Sequence, residues 1–149
     1  MVIQELQSQN ILSDKEYKKL LETAEKIKKS NKPITNDRLI SELTLGFWVH
    51  LCTKSYKPKL WDKKGFFEEV FPNYTNNGAL RNIAPIQNNL LSILRLRNRI
   101  FHHEIILNTQ TTPERHYQTI QDTLHLLSAG MVSTLNKISR FNDIIKQKP

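Results

Sequence analysis

ALRNIAPIQNNLLSILRLRNRIFH (residues 79–102) sets apolar side chains three and four positions apart along most of its length. That spacing predicts an amphipathic helix from about Ala79 to His102, kinked or restarted at Pro85. On a wheel of about 100° per residue with Leu90 at zero, Ile83, Ile86, Leu94 and Phe101 fall within about 40° of it. Arg97 falls about 20° from Leu90, in the middle of that apolar stripe. A guanidinium does not shed its proton to escape burial, so it needs an anionic partner or an opening to solvent. The first alternative is a buried ion pair with a carboxylate such as Glu42 or Glu104. The second is a working cation.

Upstream, Ser13 and Glu16 have the spacing of a capping box, and Tyr17, Leu20, Leu21, Ala24 and Ile27 follow at helical spacing up to Asn31-Lys32-Pro33. A second helix is expected from Thr35 or Asn36, with Leu39, Leu43, Phe47 and Leu51 stepping by four. Gly46 inside it points to close approach of a neighbouring helix or a substrate. GFFEEVFP (65–72) reads as a short helix and NYTNNG (73–78) as a turn-forming loop. Downstream, Thr112-Pro113-Glu114 supplies an N-cap, a first-turn proline and an early acid. One last helix then carries Tyr117, Ile120, Leu124, Leu127, Met131, Leu135 and Ile138. The expected architecture is an all-α bundle of four to five helices forming one domain over residues 1–149.

Composition narrows the function classes. The 149 residues suit one domain, and 4 Gly with 6 Pro leave little turn material for a β-sandwich or barrel. With 22 Lys and Arg against 14 Asp and Glu, the net charge is +8, which favours a polyanionic partner, nucleic acid or an anionic membrane surface. The single Cys52 excludes an internal disulfide framework and a cysteine-based zinc cluster. The uncharged stretch Leu43 to Thr53 is too short to span a bilayer, and the N-terminus MVIQELQSQN has no apolar signal core. The expected location is the cytoplasm. No Gly-rich phosphate loop supports ATP- or GTP-driven chemistry, and no cofactor is expected.

The string LRNRIFHHE (96–104) sets a fixed cation, an amide and two imidazoles within about two helical turns. These groups suffice to cleave a phosphodiester without a metal. Histidine serves as general acid or base near neutral pH, and arginine binds phosphate bidentately and stabilises developing negative charge. Asn98 and His102 are four apart, so the amide is placed to orient the imidazole. Arg97 and His102, five apart, lie about 140° and 7.5 Å from each other in an ideal helix. Either the helix distorts near His102, or two protomers complete one site across an isologous interface.

Arg97-Asn98 followed by three residues and His102 has the R-N-x-x-x-H form of the R-x(4–6)-H motif of HEPN domains. The chain resembles bacterial abortive-infection (Abi-like) proteins of that superfamily: ISELTLGFWVHL (40–51) is similar to their E-L-[TS]-x-G-F-W stretch through Glu42, Leu43, Thr44, Gly46, Phe47 and Trp48. Tyr56 and Trp61 in a Tyr-x(4)-Trp pattern and the Phe71-Pro72 pair also match. The resemblance covers roughly residues 35 to 107. It implies a HEPN-type helical bundle, as a short member of the family or the C-terminal part of a longer one. It also implies a metal-independent endoribonuclease of a phage-defence or toxin–antitoxin system, acting on RNA such as tRNA, commonly as a homodimer and with a cognate antitoxin. Arg97 would then hold the scissile phosphate and His102 act as acid/base, with Asn98 orienting it and His103 the alternate. The products would be a cyclic phosphate and a 5′-hydroxyl end. A catalytically silent nucleic-acid- or protein-binding module is the alternative.

Further substrate contacts are expected from Arg99 and from the basic segment Lys57, Lys59, Trp61 and Lys63, with lysines on phosphates and aromatics on bases. The opposing reading packs Tyr56 and Trp61 into the bundle and leaves the lysines solvated. Glu42 and Glu104 are candidate supports for the site. A zinc site from His102, His103 and Glu104 is disfavoured, because consecutive helical histidines point about 100° apart and no HExxH or Cys pair is present. His50, His116 and His125 have no evident partners, and Cys52 reads as a small hydrophobe.

Overall fold

The computed structural model describes residues 11–75, 82–106 and 111–147, which are helical and contain no strand. Helix α1 (Asp14–Lys29) begins with Asp14 and Glu16 and ends with Lys26, Lys28 and Lys29, so side-chain charge complements the helix dipole at both ends. It stops where the sequence indicates. Asn31 takes φ 55°, its N–H bonds the Lys28 carbonyl, and Lys32 N–H bonds that of Ile27. This is a Schellman closure with asparagine in the left-handed position.

The expected second helix is two helices, α2 (Asn36–Glu42) and α3 (Leu45–Leu51). Leu43 and Thr44 are extended between them, and the Thr44 side chain accepts from Phe47 N–H. Thr44 thus starts a new helix by capping it, an alternative that the uninterrupted apolar stripe conceals. Gly46 lies in the first turn of α3 facing the long helix, where a Cβ would meet Leu94 Cδ2 at 3.8 Å, an ordinary contact. A short 3₁₀ turn (Lys54–Tyr56), a π-helical turn (Lys57–Trp61) and α4 (Phe66–Val70) follow.

The long helix is α5 (Ile83–Phe101), capped by the Asn82 side chain accepting from Ala84 N–H. Pro85 therefore sits in the first turn, where its missing N–H costs nothing. The start expected near Ala79 lies outside the described residues. The expected last helix is likewise divided, into α6 (Pro113–Leu127) and α7 (Ala129–Ile138), with Ser128 extended between them. Gln121 on α6 donates to Asn136 on α7, and Tyr117 stacks on Phe141 of α8 (Phe141–Ile145) with centroids 4.3 Å apart, so the chain folds back on itself.

The core lies among α1, α2, α3, α4 and the first turns of α5. Leu20 and Ile27, Leu39, Phe47, Phe67, and Ile83 with Ile86 are buried there. Trp61 sits at its centre, with ring centroids 5.6, 6.2 and 5.5 Å from Phe66, Phe67 and Phe71. No residue of α7 or α8 is buried. The described part of the fold is all-α, with more and shorter helices than the four to five expected. No described helix is long and apolar enough to cross a membrane.

Candidate functional site

Beyond Leu94 the apolar stripe of α5 runs past the protein's own core. Ile100 is 54% and Phe101 67% exposed, and Arg97, in the same stripe, faces solvent. The buried ion pair allowed by the sequence is not formed. Glu42 pairs with Lys26 at 3.4 Å, and Glu104 pairs with Arg99 at 3.5 Å. Arg97 Nη1 instead donates to the neutral Asn98 Oδ1 at 3.2 Å, and its guanidinium lies over the Phe101 ring, 5.2 Å from the centroid. Among the described residues no carboxylate offsets its charge.

The helix ends just before His102. Its N–H bonds the Asn98 carbonyl at 2.9 Å, His103 N–H bonds that of Ile100 at 3.1 Å, and Glu104 N–H that of Arg99 at 2.9 Å. This is the second Schellman closure in the chain, with His103 at φ 55° where glycine is usual. His102 is the C-cap residue and its N–H keeps the helical pattern, so the reversal of the chain begins after it, at His103. The His102 ring stands edge-on to Phe101, centroids 5.6 Å apart at 88°, so one phenyl ring touches both the cation and the imidazole.

Arg99 is engaged within the chain. Its Nη2 donates to the Ile105 carbonyl at 2.7 Å, and its Nε, shielded from solvent, faces the Glu104 carboxylate. Arg99 therefore straps the segment after the helix back onto α5, with Glu104 as its support. The Asn98 side-chain oxygen is engaged by Arg97, and its link to His102 runs through the main chain.

In the basic segment Lys57, Lys59 and Lys63 are exposed, and Lys57 approaches Asp62 at 4.0 Å. Trp61 is 6% exposed and donates its indole N–H to the Leu51 carbonyl at 2.8 Å, so it presents no face for stacking. Tyr56 is buried as well, which is the core alternative for both aromatics. No three His, Cys, Asp or Glu side chains among the described residues gather as metal ligands.

Two features escaped the sequence. Ser13 and Glu16 do not close a capping box. The Ser13 hydroxyl donates to the Glu16 carboxylate, while Ser13 N–H goes to Tyr56 Oη at 3.1 Å. Glu16 turns inward, 1% exposed, accepts from Tyr56 Oη at 2.9 Å and meets His50 Nε2 at 3.3 Å. His50 therefore has a partner. Burial pushes the Glu16 carboxyl up, but the hydrogen bonds from Ser13 and Tyr56 and the His50 charge outweigh it and hold the group below the ordinary range. The partners lie tens of residues apart, and no local pattern announces them. The second feature is an apolar cavity of about 580 Å³, lined among others by Leu39, Phe47, Trp61 and Leu90 and opening past Ile40, Leu45, Trp48 and Leu127. It gathers no cluster of polar groups for chemistry, and the α5 terminus lies outside it. Burial pushes the Cys52 thiol up to about 11, in keeping with a packing role.

Comparison with protein-family models, curated proteins and solved structures finds no match to this chain.

Proposed function

We propose that this chain is a HEPN-type, metal-independent endoribonuclease of a phage-defence or toxin–antitoxin system, with its site at the C-terminal end of α5. The observation that carries the reading is the exposed Arg97, uncompensated by any described carboxylate and sharing the Phe101 ring with His102. Together with the R-N-x-x-x-H string and the net charge of +8, this supports a phosphate-binding site with an acid/base beside it.

In the proposed reaction Arg97 grips the non-bridging phosphate oxygens, and His102 takes the proton of the ribose 2′-hydroxyl. The 2′-oxygen bonds to phosphorus, the P–O5′ bond breaks, and the leaving oxygen takes a proton from a second histidine or from water. The products are a 2′,3′-cyclic phosphate and a 5′-hydroxyl. The exposed Met131, Ile138 and Ile144 of α7 and α8 offer a surface for a second copy. A cognate antitoxin belongs to the same reading.

One observation favours a catalytically silent binding module as the second reading. The Asn98 amide oxygen serves Arg97, and no described side chain hydrogen-bonds the His102 imidazole. Incubation with total RNA and a tRNA pool in EDTA, with product ends mapped, separates the two. The expected result is cyclic-phosphate ends from the wild type, abolished by Arg97→Ala and by either His102→Ala or His103→Ala. Intact RNA with tight, salt-sensitive binding would replace the nuclease with the binding module.

A further inference from the structure

Phe101 is the most exposed aromatic side chain at the candidate site. It is 67% exposed, it carries the Arg97 guanidinium at 5.2 Å, and it holds the His102 ring edge-on. A phenyl ring open to water between a cation and an imidazole lacks the burial that accounts for every other phenylalanine near the core. The cation on the ring also marks what suits the remaining surface. Arginine–aromatic pairs extend readily into a stack with a flat, polarisable nucleobase, whose phosphate is then drawn to the guanidinium. Arg95 and Arg97, both exposed on the same end of α5, add the charge that a nucleic-acid backbone requires.

We infer that Phe101 is a stacking platform for an unpaired nucleobase next to the phosphate held by Arg97. This rests on the proposed nucleic-acid reading and assigns the site a base contact that the basic segment, with Trp61 buried, does not provide. The ring sets which nucleotide lies against Arg97 and His102, so its removal acts on substrate placement.

The test uses two non-cleavable probes of equal length, a 2′-O-methyl oligonucleotide and its abasic 2′-O-methyl counterpart, titrated against the full chain. The wild type is expected to bind the base-bearing probe more tightly, and Phe101→Ala to weaken that probe roughly 5- to 150-fold. The abasic probe is expected to be nearly unaffected by Phe101→Ala, and Phe101→Tyr to preserve the difference between probes. Equal loss for both probes would overturn the platform, because the ring would then only steady Arg97. Dissociation of a dimer by Phe101→Ala in sedimentation, with no probe-specific effect, would also overturn it by making the ring a contact between copies. Binding of neither probe by the wild type would instead remove the nucleic-acid reading itself. Wild-type binding with no dependence on Phe101 would leave that reading standing and remove only this one.

Discussion

At its first turns α5 presents Ile83 and Ile86, 2% and 1% exposed, to a core built from α1 to α4; at its last turn it presents Ile100 and Phe101, 54% and 67% exposed, to solvent. Ile83, Ile86 and Phe101 share one stripe of the helix, and Ile100 lies about 80° to its side. The first end gains the roughly 25 cal/mol per Å² that apolar burial supplies, and the second leaves it uncollected. The charges differ in the same way. The buried carboxylate of Glu16 is satisfied by Ser13, Tyr56 and His50, whereas among the described residues the Arg97 cation meets a neutral amide and a phenyl ring. One end of the molecule is closed on itself. At the other, Arg97, Ile100 and Phe101 are exposed among the described residues.

If that contrast holds, a core substitution harms stability and a terminus substitution harms function. The largest effect is expected from Phe67→Ala, which empties a site 2% exposed and should cost about 3–5 kcal/mol in urea unfolding. A cost near that of an exposed residue would show that the core is packed differently.

Next comes Tyr56→Phe, which removes a hydrogen bond to the buried Glu16 carboxylate and should cost about 1–3 kcal/mol near neutral pH. Glu16 adds a pH signature. Its folded-state value lies below the ordinary one, so its contribution is complete above the unfolded glutamate value of about 4.3. It fades as the pH falls from there towards the lowered folded value. The stability gap between wild type and Glu16→Gln should therefore narrow on acidification. A gap that widens below pH 4 would reverse the assignment.

The smallest effect sharpens the contrast at the terminus. His103 holds a left-handed conformation, so His103→Gly should stabilise the chain by about 1 kcal/mol. Its cleavage assay then separates the histidines. Retained activity assigns the acid/base role to His102, and lost activity in a more stable protein assigns it to His103.

Much of the fold is legible in the sequence. The Thr112 cap is where Thr112-Pro113-Glu114 indicates, with its side chain accepting from Arg115 N–H, and α1 stops at Asn31 as expected. The breaks at Thr44 and Ser128 are not legible, because the apolar stripe passes through both and only the local backbone changes. Arg97 shows the same limit in the site. A helical wheel identifies the face on which a residue lies, but long-range packing determines whether anything covers that face. The motif residues are adjacent in the sequence, so their shared place at the end of α5 follows from the chain itself. The roles of Arg99 as a strap and Phe101 as the ring between Arg97 and His102 depend on how the helix ends. The Glu16–Tyr56 bond spans 40 residues and has no signature in either neighbourhood.

The most direct measurement pairs urea unfolding with RNA cleavage in EDTA for the wild type and Arg97→Ala. The account predicts unfolding free energies that agree within the small range of surface substitutions, about 0.5 kcal/mol, and complete loss of cyclic-phosphate products in the variant. Destabilisation by several kcal/mol, or cleavage that survives the substitution, would contradict it.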